Sequence, residues 1–422
     1  MKVATRQTCR ACGGNMADLW DLGTHPLNDF PASALERRHP PAPLVLCRCH
    51  PCGLIQLQHT VPPEWMFREH YWYRSGVNES MVAHLKDLVE KARALVPVAP
   101  GDVVIDIGAN DGTLLAQYEG GNGHSEAPGR IAYEPALNLQ EACKAHANVV
   151  VPEFFPDPHK NCQYHLIDGC AKHIISAAMF YDLDDPGAFV AEVKRLLHPE
   201  GIWVNQLAYL PAMLRNSAFD SICHEHLSYY CLTSLMPLLA KHGLQVIDVE
   251  EVAVNEGSFR VYATHRDSKV PVEHEALARV REMCEREAEA KYTSTNDAYL
   301  ALKGRAEDLR REVRKFFLGT MLKDEKVDLL GASTKGNVFL SYCGIDSRMV
   351  RRAIERSEEK VGRHTVTGVP IVSEEEGRRD PARYVLCLIW AFRDSVLRRE
   401  RGKWPPGTRI VFPMPRMEVV EL

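Results

Sequence analysis

Residues 103–115 read Val-Val-Ile-Asp-Ile-Gly-Ala-Asn-Asp-Gly-Thr-Leu-Leu, and the order of residue types in this stretch decides what kind of fold surrounds it. An apolar, β-branched run from Val103 to Ile107 stops at Gly108, passes through Ala109-Asn110-Asp111-Gly112 and resumes with helix formers. That is the pattern of a buried strand, a glycine turn and a helix start. Gly108 lacks the Cβ that would block a ligand, and the first N–H groups of the following helix have no intrahelical partner and face the same space. A ligand is therefore expected at this strand end. It is not a dinucleotide, because Asn110 stands where G-x-G-x-x-G needs a second glycine to admit a pyrophosphate.

Further along, Arg130-Ile-Ala-Tyr-Glu134 forms a second strand ending in a carboxylate. In a doubly wound sheet a carboxylate at that place bonds the two hydroxyls of a ribose, usually ~20 residues after the glycine turn. The longer spacing here is explained by residues 119–129, a Gly-rich polar surface insertion. The turn matches the D-x-G-x-x-x-G loop that holds S-adenosylmethionine (SAM), so Asp106, Gly108, Asn110 and Glu134 are its expected binding residues. Strands at His173–Phe180 and Gly201–Leu207 flank a helix at Ala188–Leu197, continuing a βαβα rhythm that implies a mostly parallel sheet. A helix over Asn78–Val96 precedes this unit. Gly243–Glu251 adds a strand, and Gly257–Tyr262 is expected as an antiparallel edge. Residues 152–172 fit no element.

The chain begins with cysteine chemistry. Cys9-Arg-Ala-Cys12-Gly and Cys49-His-Pro-Cys52-Gly each place two thiolates on a tight turn, and together they supply four sulfur ligands for tetrahedral Zn²⁺. A closed four-thiolate site is structural, since it leaves no position open for a substrate. Cys47 and His50 are bystanders in this reading. Next comes His70-Tyr71-Trp72-Tyr73, an aromatic cluster that either packs domains together or forms a binding lip through the Tyr71 and Tyr73 hydroxyls.

A second stretch with chemistry is Phe219-Asp-Ser-Ile-Cys-His224-Glu225-His226-Leu-Ser-Tyr-Tyr230. In an extended segment His224 and His226 share a face and Glu225 lies opposite; in a helix the two histidines diverge. A neutral histidine beside a carboxylate is a general base suited to pH 7. Two other readings compete with it: a His-x-His metal pair, for which no third ligand is evident nearby, and a satisfied structural polar cluster.

Residues 272–322 are charged and helix-forming, with a break near Ser294-Thr-Asn296, and are expected to form two linking helices. Val327-Asp-Leu-Leu-Gly-Ala-Ser-Thr-Lys-Gly then repeats the strand, turn and helix pattern without Walker spacing. Ser333, Thr334 and Lys335 at that turn are a candidate phosphate grip. Strands at Gly368–Val372, Tyr384–Trp390 and Thr408–Phe412 complete a small parallel sheet.

At 422 residues, 45% hydrophobic, 25% charged and a net charge of -5, the chain can hold two or three cores. A slightly acidic protein without basic blocks is expected to bind neither nucleic acid nor membrane surface. With no apolar signal core at Met1–Cys9, no membrane-length run and 13 cysteines, a cytoplasmic setting is expected. No long heptad is present, so a monomer is expected. The expected fold is α/β in four parts: a zinc-binding module (1–75), a central Rossmann-like SAM-methyltransferase domain (76–265), linking helices (266–322) and a C-terminal Rossmann-like domain (323–422).

Taken in order, the paired C-x-x-C-G knuckles, D-I-G-A-N-D-G, H-E-H-L-x-Y-Y and G-A-S-T-K-G-N resemble the SAM-dependent sugar C-methyltransferases of deoxysugar pathways over nearly the whole length. The resemblance implies zinc on Cys9, Cys12, Cys49 and Cys52, and SAM on Gly108 and Asn110 with Glu134 on its ribose. It also implies His226 as base with Glu225 beside it, and a nucleotide sugar between the domains. His224 and Tyr73 join the candidate catalytic set, and Tyr71 and Tyr73 the substrate contacts. Two departures stand out. Cys223 replaces a tyrosine that often precedes H-E-H, and Asn255-Glu-Gly-Ser258 replaces H-G-G-S. The implied reaction is methylation of the carbon next to the ketone, C3, in a 4-keto-deoxysugar. O- or N-methylation of a sugar or other small molecule, a zinc-ribbon scaffold with an inactive SAM domain, and metal-dependent hydrolysis at His224/His226 are the rival readings.

Overall fold

The computed structural model describes residues 2–119, 127–157 and 166–422. Residues 120–126 of the expected insertion, and 158–165 of the stretch that fits no element, lie outside the described residues. The N-terminal region contributes β1 (Ala4–Thr5), β2 (Met16–His25), β3 (Ala42–Cys49), β4 (Ile55–Leu57) and β5 (His59–Thr60). The central region contributes β6 (Val103–Ile107), β7 (Gly129–Tyr133), β8 (Val149–Val151), β9 (Ala171–Ala177), β10 (Leu197–Ala208), β11 (Ser228–Tyr229), β12 (Leu244–Val252) and β13 (Ser258–His265). The last sheet uses β14 (Val327–Leu330), β15 (Ala353–Glu355), β16 (Ile371–Ser373), β17 (Tyr384–Cys387), β18 (Arg409–Phe412) and β19 (Glu418–Glu421).

Among the described residues the central sheet runs β12-β13-β10-β9-β6-β7-β8. Its strands from β8 to β10 are parallel, and β13 is antiparallel to both neighbours. The expected antiparallel strand is therefore present but is not the edge; β12 lies outside it. Continuous apolar runs suit strands covered on both faces. Successive residues of β6 confirm the cover: Val104 joins a core with Leu88 and Ala92 of the helix Glu79–Leu95, whereas Ile105 joins a core with Phe189 and Trp203.

The C-terminal sheet, β16-β15-β14-β17-β18-β19, is parallel except for β19. The helices His274–Glu289 and Asp297–Leu322 fall where two helices with a break were expected. The second does more than connect. Leu302, Ala306, Leu309, Val313 and Phe317, at helical spacing, enter a core shared with Trp20 and Leu46 of the N-terminal sheet, with Leu329 of the C-terminal one and with Phe339 of the helix Thr334–Cys343.

One connection was not legible in the pattern. β11 belongs to the N-terminal sheet, whose order is β11-β4-β3-β2. Ser228 pairs with Gln56 and Tyr229 with Ile55, and the Leu57 N–H donates to Leu227 O at 2.9 Å. The His-Glu-His segment is thus held in the sheet of the cysteine-rich module, not in the central sheet that precedes it in the chain.

Candidate functional site

At the carboxyl end of β6 the backbone turns through Gly108 at φ 73°, and a Cβ there would meet Met179 Cγ at 3.2 Å. Such a position is closed to other residues on both counts. Asn110 is left-handed at φ 55°, and its N–H donates to Glu134 Oε2 at 2.6 Å. Glu134 Oε1 accepts from Ala136 N at 2.7 Å, so the carboxylate is fixed beside the turn at the end of β7. Burial pushes Glu134 up to about 7, with the two backbone donors opposing. Asp106, buried beneath, is pushed up to about 8 by burial and by the charges of Glu134 and Asp111. A sheet-end glycine cradle with an oriented carboxylate fits the sugar and chain of a bound SAM.

The Asn110 side chain has a different task from the expected cofactor contact. Its Oδ1 accepts from Ser75 N at 2.9 Å and its Nδ2 donates to Tyr73 O at 3.0 Å. Asp111 accepts from Gly76 N, and Asn138 exchanges bonds with both backbone groups of Tyr71. Residues 71–76 are therefore strapped to the turn by backbone bonds, which brings their tyrosines to the site. Tyr71 is enclosed, and burial with the nearby Asp182 and Glu225 charges holds its phenol protonated. Tyr73 is 44% exposed, at the rim.

Residues 179–182 link this turn to the second chemical segment. Met179 packs on Gly108, and the Tyr181 ring meets His226 edge-on with centroids 4.6 Å apart. The segment around His226 is neither extended nor helical. It is a turn, closed by His226 N donating to Cys223 O at 3.1 Å, and it sends its three titratable side chains to three places. Buried His224 donates through Nε2 to Ala42 O at 3.0 Å and is a structural tie to the N-terminal sheet. Glu225 accepts from Asn28 Nδ2 at 2.9 Å and makes no hydrogen bond to His226, contrary to the expected pairing. His226 Nδ1 lies 2.9 Å from Ser221 O; a carbonyl only accepts, so Nδ1 carries the hydrogen and Nε2 keeps its lone pair. Burial and the Lys335 ammonium hold His226 down to about 3. Its ring lines a cavity with Tyr181, Met213, Ser221, Ser228 and Glu256.

Asp182 escaped the sequence reading. Among the described residues its Oδ1 has no partner, and burial with the Glu225 charge keeps its carboxyl well above the usual range. The available signal was its place just beyond a parallel strand's carboxyl end, where ligands bind. The candidate phosphate grip is also arranged differently. Ser333 Oγ caps its own helix by accepting from Gly336 N, Thr334 is half-buried there, and Lys335 turns away to pair with Glu256 of the central region. The cation of the turn is thus committed to Glu256, which lines the His226 cavity, and is not displayed over the helix N-terminus.

The four cysteines of the knuckles converge with all sulfurs within 4.8 Å of one another. Cys9 and Cys52 sulfurs are 3.6 Å apart, and Cys12 and Cys49 3.4 Å. Tetrahedral zinc with ~2.3 Å bonds requires sulfurs ~3.8 Å apart, so the set fits Zn²⁺. N–H groups of Ala11 and Gly14, and the Gln56 amide, point at the sulfurs as they would at thiolates. Arg10, between two ligands, reaches Gln56, Thr60 and Asp184, which ties the knuckle to the central domain. Among the described residues no other His, Cys, Asp or Glu group is close enough to hold an ion, and His224 and His226 do not form one.

Residues 9–67 match the family model of a zinc binding domain, and residues 253–415 that of the C-methyltransferase C-terminal domain. The chain is 27% identical over 422 residues to C-methyltransferase NovU of Streptomyces niveus, covering 98% of this chain and 96% of the relative. Solved methyltransferases align with under half of the chain. Mitomycin 7-O-methyltransferase MmcR shares 14% identity over 45% of this chain and 55% of its own, with a TM-score of 0.35. SAM-bound magnesium protoporphyrin IX methyltransferase from Synechocystis PCC 6803 shares 9% over 44% and 78%, with a TM-score of 0.32. With a zinc-binding module at its head, a glycine turn at the end of a parallel strand at its centre and the C-terminal domain matched, this chain carries both matched domains of the C-methyltransferases and is similar to one of these enzymes over nearly its whole length.

Proposed function

We propose that the chain methylates the carbon next to the ketone, C3, of a nucleotide-linked 4-keto-deoxysugar, with His226 as the base. The observation that carries this reading is the tautomer of His226: Nδ1 is bound to Ser221 O, which leaves Nε2 as the basic nitrogen of a ring that lines a cavity and meets Tyr181, two residues on from the Met179 that packs against Gly108. The likeness to a C-methyltransferase supports it. SAM, when bound, supplies an electrophilic methyl group. Carbon is not nucleophilic until it loses a proton, and a neighbouring carbonyl makes that loss feasible because the electron pair moves onto oxygen. Nε2 takes the C3 hydrogen, the pair forms the enolate, and C3 then takes the methyl. Nδ1–H held by Ser221 O fixes the tautomer that can act. Tyr71, held by the strap, positions the sugar. The organisation we infer is zinc module 1–75, SAM domain 76–265, linking helices 266–322 and C-terminal domain 323–422.

The test is incubation with SAM and a panel of 4-keto nucleotide sugars, with the product analysed by mass and NMR. A new C–CH₃ group is expected; an O–CH₃ or N–CH₃ product would replace this reading with the rival. His226→Asn should lower kcat by about 10²–10⁴-fold, with SAM affinity by calorimetry nearly unchanged. Near-wild-type turnover would remove His226 from its role.

A further inference from the structure

Lys335 stands in the first turn of the helix Thr334–Cys343, yet its ammonium crosses to the carboxylate of Glu256 in the central region. Among the described residues Glu256 is its one hydrogen-bond partner, so N–H donors remain on Nζ. The Lys335 side chain is 24% accessible, so it is partly buried. His226 is likewise partly buried, and Glu256, which holds the ammonium, lines the same cavity as His226.

The loop that presents Glu256 is unusual. Asn255 and Glu256 are both left-handed, at φ 51° and 64°, where non-glycine residues are rare. Asn216 Nδ2 holds Glu256 O at 2.7 Å and Ser258 Oγ holds Val254 O at 3.0 Å. Backbone held this way collects at sites with a task. Close by, buried Asp220 accepts from Trp390 Nε1 of the C-terminal domain at 2.9 Å, and among the described residues its Oδ1 has no partner. Glu256 thus pairs with the ammonium, and the Asp220 carboxyl acts on it through charge alone.

We propose that Lys335 is a catalytic residue: its ammonium, braced by Glu256, donates a hydrogen bond to the ketone oxygen of the substrate as the enolate forms. The inference rests on the carbon-methylation reading above. In the step, Nε2 of His226 gains the C3 proton, the C–H pair becomes the C=C bond, the carbonyl π pair moves to oxygen, and Lys335 stays protonated throughout. The same cation opposes the imidazolium that forms on His226. The direct contact prevails because Coulomb energy falls with distance, and a charge-assisted bond to oxygen is shorter than the reach to the ring. The C-terminal domain is then a contributor to the chemistry, not only a cover.

The readout is exchange of the C3 hydrogen in D₂O without SAM, followed by NMR on a 4-keto nucleotide sugar that the wild type methylates on carbon. A wild type that methylates no such sugar on carbon would overturn the parent reading before any variant is compared. Lys335→Met should slow exchange by about 10²–10³-fold, the usual loss for one oxyanion donor. Because that change strands Glu256, the decisive variant is Lys335→Met/Glu256→Gln, which removes both charges. If the ion pair is only a tie between domains, the double variant recovers exchange; if Lys335 acts on the oxygen, exchange stays lost in a protein with wild-type SAM affinity and thermal stability. Exchange within about threefold of wild type, or a double variant that does not fold, would overturn the proposal by giving Lys335 a structural role instead.

Discussion

Glu134 shows how one side chain sets a measurable pH dependence. Burial raises its carboxyl to about 7, so it loses its proton late, and only the ionised form offers both oxygens to a ribose. SAM affinity should therefore weaken by up to roughly tenfold per pH unit below 7, measured by calorimetry between pH 8 and 6. Asp106, held up to about 8, stays largely protonated over the lower part of this range and does not reverse the sign. In Glu134→Gln the dependence should flatten, and a slope as steep as the wild type's would assign it to another group. The stability sign follows from the same shift. Between the unfolded value near 4.5 and about 7 the folded chain keeps a proton that the unfolded chain has released, so this group's contribution falls as pH rises through that window. The residue types that carry chemistry were legible in sequence: the four thiols, Glu134 and the His-Glu-His run. Which histidine faces the cavity was not, because a turn closed by His226 N and Cys223 O decides it, and alternation along an extended strand put His224 and His226 on one face.

At the scale of elements, the strap over the SAM turn is the most testable part. Asn110 holds Ser75 and Tyr73 through one amide, and Asn138 holds Tyr71 at both backbone groups. Asn110→Ala should loosen residues 71–76 by about 1–3 kcal/mol, seen as faster amide hydrogen exchange confined to that segment. Unchanged exchange would mean that aromatic packing, such as Phe30 against Trp72, holds the strap without the amide. Long strands and helices were readable because their periods repeat: β6, β10 and the pair of helices after residue 272 fall where the pattern placed them. Order within the sheet was not, since a period of two says which face a residue joins and nothing about which strand lies outside. That is why β13 was taken for an edge. The short β15 and β19 left too few residues for any pattern to show.

For the whole molecule, the cysteine-rich module and the His226 segment are one structural unit joined through β4 and β11. Cys52→Ser should remove the zinc, taking elemental analysis from one ion per chain to none. It should also expose the amides of residues 227–229 to exchange and lower Tm. Metal loss with full protection at β11 would show that the apolar core alone holds the sheet. Gly53 adds a second tie: a Cβ there would lie 2.3 Å from Thr293 O, so the knuckle seats directly on the turn between the two long helices. Gly53→Ala should lower Tm without releasing zinc. This arrangement was hidden in the sequence because the contacts join residues about 170 or more positions apart, beyond any local pattern.

The sharing of β11 also bears on how such a protein can be inherited. A head and a body exchanged between distant relatives would bring together Gln56 and Ser228 from two histories, and the backbone ladder between them would survive only where register and neighbouring side chains still agreed. The first seventy or so residues and the segment around His226 are therefore expected to travel through descent as a pair, and their substitutions to be correlated across the gap that separates them.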